Sequence, residues 1–166
     1  MIDSTVARLT ITSIVVLASA LATVQDAAAQ GPSIRYGSEV PSEVRTIYQR
    51  GLSYLVQSQQ ADGHWVASSS GHGGPGDSGI TGLALMSFLA SGEDPNFGQY
   101  SASIRRALRH LILGQEADSG YLPGSMYHHG FAMLALAEAY GAVDDRLLWD
   151  GTEQAGRKRS IGEALE

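Results

Sequence analysis

The sequence predicts an all-α protein built from helical hairpins, on three observations. Apolar residues recur at the three-and-four-residue spacing of amphipathic helices in two segments, which begin near Ser42 and near Ser101. Each segment is followed by a turn and then by an almost wholly apolar stretch, which is typical of a helix buried on all sides. This order occurs twice with a period of about 50 residues, as it does in helical repeat arrays.

Composition narrows the class of protein before any motif is considered. The chain has 166 residues, a formal net charge of −6 and 43% apolar residues, which fits a packed core and excludes disorder driven by polarity. An acidic balance gives no basic surface for nucleic acid, so we expect no nucleic-acid partner. The absence of cysteine excludes a disulfide framework, a thiolate metal site and a cysteine nucleophile.

Residues 1–29 are predicted to be a secretory signal peptide. Arg8 precedes the apolar stretch Leu9–Val24, and Ala27 and Ala29 then provide small residues at the spacing of a cleavage site. The alternative is an uncleaved anchor, but the stretch is shorter than the ~20 residues that span a membrane. We therefore expect export to the periplasm or the extracellular space, with no membrane span after cleavage. Residues 30–40 are predicted to be a linker.

The first hairpin is predicted to cover residues 41–92. Its amphipathic helix begins at Ser42 and ends near Gln59, and Asp62-Gly63 forms the following turn. A glycine-rich loop over residues 68–79 leads to the apolar helix Ile80–Ala90. Asp77 stands just before that helix, where a carboxylate can cap the first turn.

The second hairpin is predicted to cover residues 100–141, within a repeat region that spans residues 41–143. Ser101 is expected to cap its amphipathic helix, Asp118-Ser119-Gly120 to form the turn, and His129–Tyr140 to form the apolar helix. Matched residues support a true repeat, because equivalent residues lie at constant separations. Arg50 and Arg106 lie 56 residues apart, as do Gln59 and Gln115, and Gly82 and Gly130 lie 48 apart.

Residues 144–166 are predicted to begin a third repeat that is cut off. The pair Asp144-Asp145 stands where a helix should begin, and Ser160 with Glu163 has the spacing of a capping box. A helix of about six residues is marginal on its own. The sequence therefore suggests an incomplete repeat array.

One motif resembles a known family. The segment Arg50-Gly51-x-x-Tyr54-Leu55-x-x-x-Gln59-x-x-x-Gly63-x-Trp65 is similar to the QW repeat of squalene and terpene cyclases, whose hairpin also builds the β subunits of protein prenyltransferases. The second copy keeps Gln115, but Gly120 is one residue late and Tyr121 replaces the tryptophan.

The resemblance implies an α/α toroid of the terpenoid cyclase and protein prenyltransferase type, of which two hairpins form a partial ring. It also implies a structural role, tying neighbouring hairpins together, for the residues of the motif. These are Arg50, Gln59, Gly63 and Trp65 in the first copy and Gln115 and Gly120 in the second.

The chemistry of that family is harder to find in this chain. The aspartate-rich acid motif of the cyclases is missing, and the Asp, Cys and His zinc site of the prenyltransferases cannot be copied without cysteine. The remaining catalytic candidates are His128, His129 and Asp77. Adjacent histidines on a helix point about 100° apart, so they would not easily chelate one metal ion. The sequence predicts no cofactor and no metal site.

Two functions remain open, together with the hypothesis of a truncated gene product. The first is a secreted, non-catalytic scaffold or interaction module that associates with itself or with a partner protein completing the toroid. The second is a cavity enzyme of terpenoid cyclase or prenyltransferase type that needs further repeats, with His128, His129 and Asp77 near its site. The basic group Arg105, Arg106 and Arg109 would suit a diphosphate, but a solvated outer face is commoner.

Overall fold

The computed structural model describes residues 40–66, 77–152 and 158–166. Every regular element in these segments is a helix, so the predicted all-α class is confirmed. In chain order the helices are α1 (Ser42–Ser58), α2 (Ser78–Leu89), α3 (Ser101–Gly114), α4 (Met126–Ala139), α5 (Asp145–Leu148) and α6 (Ile161–Leu165). The predicted signal peptide, the linker up to residue 39 and most of the glycine-rich loop lie outside the described residues.

Residues 42–166 form one compact unit, in which α2 and α4 make the most extensive helix contact. The two helices are parallel, with their amino-terminal ends side by side. A Cβ atom built on Gly79 would lie 3.0 Å from the Cα of His128, and one on Gly82 would lie 2.6 Å from the carbonyl oxygen of Phe131. Glycine at these positions lets the two backbones approach more closely than larger residues would allow.

The amphipathic helices α1 and α3 pack against this pair. Residues Ile104, Ala107, Leu108 and Leu111 of α3 are fully buried, because they repeat at the spacing that places them on one helix face. On α1 only Leu52 is buried, while Tyr48 and Leu55 pack partly against the core. The apolar face of α1 is therefore covered less completely than that of α3.

Two predictions about helix starts need correction. Tyr100, not Ser101, is the N-cap of α3, and its side chain makes no capping hydrogen bond. The Tyr100 ring is 7% exposed and lies 5.1 Å from the ring of Phe88, so packing sets this start. Helix α4 begins at Met126, three residues before the predicted His129, because Ser125 and His128 form a capping box there.

The two apolar helices are also not buried on all sides as expected. Leu83 on α2 is 41% exposed, and Phe131 and Leu134 on α4 are 39% and 48% exposed. An apolar composition around the whole helix predicts burial, but neighbouring helices cover only part of each circumference. The described structure therefore presents an apolar surface along α2 and α4.

The carboxyl-terminal segment folds back onto the helices before it. The fully buried side chain of Ile161 anchors α6 against α3 and α4, and the predicted Ser160–Glu163 capping box is formed. Asp144 caps α5 by accepting a hydrogen bond from the backbone N–H of Arg146. None of the helices in the described residues is long and apolar enough to cross a membrane.

Candidate functional site

The glutamine that follows α1 joins the first hairpin to α3. Gln59 donates from Nε2 to the carbonyl oxygens of Gly63, at 2.9 Å, and Ser103, at 3.0 Å. Its Oε1 accepts from the Arg106 guanidinium, with a shortest distance of 2.6 Å. One amide side chain thus holds the turn after α1, the first turn of α3 and an arginine of the next hairpin.

The equivalent glutamine after α3 makes the same kind of junction one step later. Gln115 is 2% exposed and donates to the carbonyl oxygens of Gly120, at 3.0 Å, and Ala164, at 2.8 Å. Its Oε1 accepts from Arg159 at 2.6 Å. Although Gly120 is one residue late relative to Gly63, the glutamine reaches the same glycine carbonyl in both copies.

The other residues of the motif surround these junctions. Gly63 has a φ of +101°, and a Cβ there would lie only 2.3 Å from the carbonyl oxygen of Arg106. Trp65 is buried and donates from its indole nitrogen to the carbonyl oxygen of Leu55 at 2.8 Å, at the end of α1. Arg50 lies exposed on α1. These contacts are what a structural role would require.

The structure brings two of the three catalytic candidates together at the amino-terminal ends of α2 and α4. Asp77 is 8% exposed, and its Oδ1 accepts hydrogen bonds from the backbone N–H groups of Gly79 and Ile80. His128 Nδ1 accepts from the backbone N–H of Ser125 at 3.1 Å, which places the ring proton on Nε2. That Nε2 lies 3.5 Å from Asp77 Oδ1.

His129 faces another part of the chain. Its Nδ1 accepts from the backbone N–H of Leu122 at 3.2 Å, and its ring stacks on that of Tyr121 with centroids 4.8 Å apart. The two adjacent histidines therefore have separate structural partners, as the 100° rotation between neighbouring helix positions requires. Only His128 lies next to Asp77.

A shallow apolar groove lies beside the Asp77–His128 pair. Its volume is about 130 Å³, and its walls are formed by Ile80, Leu83, Tyr127 and Phe131. Pockets that enclose small molecules have volumes of about 300 Å³ or more. The groove could therefore hold a side chain of another helix more readily than a whole substrate.

The basic group on α3 is used in contacts between elements. Arg105 donates to the carbonyl oxygen of Asn96 at 2.9 Å, and Arg109 donates to that of Leu148 at 2.8 Å. Arg106 is held by Gln59. Burial, with smaller contributions from the charges of Arg105 and Arg106, lowers the pKa of Arg109. The three cations tie loops and hairpins together instead of forming an open anion site.

An exposed row on α4 was not singled out from the sequence. Tyr127, Gly130 and Leu134, which we call the α4 stripe, lie at the i, i+3 and i+7 spacing of one helix face. Tyr127 is 80% exposed, Leu134 is 48% exposed, and a Cβ on Gly130 would meet no atom within 4 Å. The 48-residue separation that relates Gly82 to Gly130 would have identified this row.

Comparisons with known proteins add a weak and partial likeness. No protein-family model matches the chain, and no solved structure matches it significantly. It is similar to the cytosolic Fe-S cluster assembly factor Nubp1 homologs of Drosophila sechellia, Drosophila simulans and Drosophila melanogaster, each 25% identical over 116 residues. The match covers 67% of this chain, which spans 37% of the length of those relatives.

Proposed function

We propose that this chain is a non-catalytic interaction module of the QW-repeat type, and that its α4 stripe binds a second copy of the same chain. The single observation that carries the proposal is the equivalence of two helix faces. The residues Gly79, Gly82 and Met86 of α2, which lie on the side that meets α4, are related by 48 residues to Tyr127, Gly130 and Leu134. The α4 stripe thus repeats a face that is already used for helix packing.

The partner surface is present on the same chain. In the contact between α2 and α4, Gly79 meets His128 and Gly82 meets Phe131. The residues of α2 that correspond to His128 and Phe131 are Ile80 and Leu83, and Leu83 is 41% exposed. A second copy could therefore place its α2 on the α4 stripe as α4 packs on α2 within one chain.

Such a contact is heterologous, since two different faces meet. Heterologous contacts form rings or open chains according to whether the rotation between copies closes. The exposed side chains of the stripe are uncharged, so their burial would favour association through the hydrophobic effect. The QW-type scaffold, the export signal and the truncated toroid remain parts of the same proposal.

The proposal is tested by the mass of the full chain in solution over a range of concentrations. Light scattering after size exclusion should give a mass that rises with concentration for the wild type. Leu134→Glu places a charge in the stripe and should lower the mass toward that of one chain.

Phe97→Glu serves as the matched control, because Phe97 is 79% exposed and lies in the connection between α2 and α3, away from the stripe. It should associate as the wild type does. Equal masses for the wild type and Leu134→Glu at all concentrations would contradict the proposed contact.

A cavity enzyme is the second candidate, because Asp77 Oδ1 and His128 Nε2 lie 3.5 Å apart beside the apolar groove. In this role His128 would exchange a proton with a substrate and Asp77 would orient its ring. Calorimetric titration with an isoprenoid diphosphate should detect binding that the double variant His128→Ala, His129→Ala abolishes. Unchanged binding in that variant would remove this candidate.

The activity printed for the Drosophila relatives is not carried over to this chain. Fe–S clusters are held mainly by cysteine thiolates, and the 166 residues contain no cysteine. The matched segment is also little more than a third of each relative.

A further inference from the structure

Three metal-ligating side chains converge at the junction between the first hairpin and α3. Asp62 and His64 flank Gly63 in the turn after α1, and His110 lies on α3. Asp62 Oδ1 lies 2.5 Å from His64 Nδ1, and Asp62 Oδ2 lies 3.5 Å from His110 Nδ1. The two imidazole rings are 4.9 Å apart between centroids.

The backbone of this turn is well fixed. The N–H of Gly63 donates to the carbonyl oxygen of Gln60, and the N–H of Gln60 donates to that of His64, both at 2.9 Å. The Gln59 side chain then ties the carbonyl oxygen of Gly63 to α3. His64 and His110 are therefore held on two elements whose relative position is set by hydrogen bonds, before any ligand is considered.

We propose that Asp62, His64 and His110 form a binding site for one divalent transition-metal ion, of which Zn²⁺ is the best probe. Two imidazole nitrogens and one carboxylate oxygen are ligands that zinc accepts, whereas Mg²⁺ and Ca²⁺ prefer oxygen alone. One ligand atom from each residue lies within 4.8 Å of the others. The proposal is independent of self-association through the α4 stripe.

The distances require a modest contraction on binding. Zinc takes nitrogen and oxygen ligands at about 2.0–2.2 Å, so the three ligand atoms must come closer together than they now lie. The Asp62 side chain is 59% exposed and can rotate, whereas His64 and His110 are only 15% and 19% exposed. The metal would take the place of the proton in the hydrogen bond between Asp62 and His64.

The surroundings indicate the remaining ligand. A cavity of about 530 Å³ opens beside the cluster, and Asp62, His110, Arg106 and Arg109 form part of its wall. Two guanidinium groups disfavour a bare dication and favour an anion next to it. We therefore expect the metal to bind together with a small anion or hydroxide in its open position.

The site is specific to the first junction of the described structure. At the turn after α3 the corresponding residues are Asp118, Ser119 and Tyr121, none of which is a histidine. A metal at the first junction would join the turn after α1 to the middle of α3. It would stabilise the folded chain through linkage, because the unfolded chain does not hold the three ligands together.

The test is calorimetric titration of the chelator-treated full chain with Zn²⁺. The wild type should bind one equivalent. His64→Ala and His110→Ala should each bind at least about tenfold more weakly, since each lacks a direct ligand. His129→Ala is the matched control, because His129 lies in contact with Tyr121 and Leu122 and not in the cluster; it should bind as the wild type does.

Two results would overturn the site: no zinc binding by the wild type, or wild-type affinity in both His64→Ala and His110→Ala. If the histidine variants do not fold, Asp62→Asn replaces them, since its side chain is mostly exposed. Co²⁺ should give the wild type the visible absorption of a four-coordinate site, and Asp62→Asn should reduce the cobalt affinity at least about tenfold. Unchanged cobalt binding in Asp62→Asn would also overturn the proposal.

Discussion

Two glutamines hold consecutive parts of the chain together, each with the same three kinds of partner. Gln59 and Gln115 each bind a glycine carbonyl in their own turn, a backbone carbonyl farther along the chain and an arginine guanidinium. Within the described residues no buried side-chain polar atom lacks a partner. Because a buried polar group is costly when unpaired, these junctions constrain more than their hydrogen-bond energies suggest.

Gln115→Leu should lower the free energy of unfolding by about 2–4 kcal/mol, because it leaves the Ala164 carbonyl and the Arg159 guanidinium without their amide partner. Gln57→Leu provides the control at an exposed position on α1 and should change the free energy by less than about 0.5 kcal/mol. Urea denaturation measures both variants. Equal stabilities would show that the Gln115 junction contributes nothing.

Gly63→Ala should destabilise the fold by at least about 2 kcal/mol, because its φ of +101° is strained for a side chain and the new Cβ would meet the Arg106 carbonyl. Gly51→Ala is the opposite case. It lies inside α1 with no atom within 4 Å of the added Cβ, so it should raise stability by about 0.5–1 kcal/mol. Thermal unfolding of the pair decides the prediction, which fails if both shift the same way.

At the scale of the helix, glycines separate a covered face from an open one. Gly82 on α2 and Gly130 on α4 are equivalent in the repeat, yet only Gly82 has another helix against it. The α4 stripe is therefore an unfilled packing position within the described structure. A single substitution at each glycine should reveal the difference.

Gly82→Ala should cost about 1–3 kcal/mol of stability, because the added Cβ would lie 2.6 Å from the Phe131 carbonyl oxygen. Gly130→Ala meets no atom, so it should raise the stability of the single chain by about 0.5–1 kcal/mol through helix propensity. Chemical denaturation at low protein concentration checks both. A destabilising Gly130→Ala would mean that the α4 stripe is already covered.

Acid should weaken the capping of the short helices. The backbone N–H and hydroxyl of Ser160 hold the pKa of Glu163 below its usual value, and Arg146 does the same for Asp144. A carboxyl with a lowered folded pKa stabilises the fold above its unfolded pKa, and this contribution is lost as pH falls through the folded pKa. Stability should therefore decrease below about pH 4.5.

Glu163→Gln should make that acid decrease shallower than in the wild type. Glu43→Gln removes the same charge from the exposed start of α1 and is the control. Circular dichroism of melting temperature against pH, from neutral to about pH 3, compares them. An identical pH dependence in Glu163→Gln and the wild type would contradict the assigned role of the cap.

The helices were predictable because helix periodicity is a local signal. The starts of α1 and the first turn of α2 followed from Ser42 and Asp77, which carry local capping chemistry. The start of α3 was not predicted, because it depends on the packing of Tyr100 against Phe88, which are distant in sequence. Exposure of Leu83 and Leu134 was missed for the same reason, since composition does not reveal which neighbours are present.

The candidate sites divide in the same way. Asp77 and His128 were singled out from the sequence, but their 3.5 Å approach depends on the packing of α2 on α4. The cluster of Asp62, His64 and His110 was not predicted, because His110 is 46 residues from His64 in the chain and only the fold brings them together. The nearby Asp62-Gly63-His64 turn was interpreted only as a turn.

At the scale of the whole molecule, the described helices form a unit with two different apolar faces. One is the α4 stripe, and the other is the α2 surface around Ile80 and Leu83. A larger cavity of about 700 Å³ lies beside Ile80, between α1 and Trp65. Two faces that match each other through the internal repeat favour head-to-tail association of copies.

Disulfide trapping between copies tests this association most directly, because the chain has no cysteine of its own. Gly130→Cys and Leu83→Cys are prepared as separate variants, mixed and oxidised. By analogy with Gly82 and Phe131, whose backbones are in contact, these positions should lie together across the interface. We expect a crosslinked heterodimer in the mixture, and far less product when Phe97→Cys replaces Leu83→Cys. Equal yields from the two mixtures would contradict the central claim.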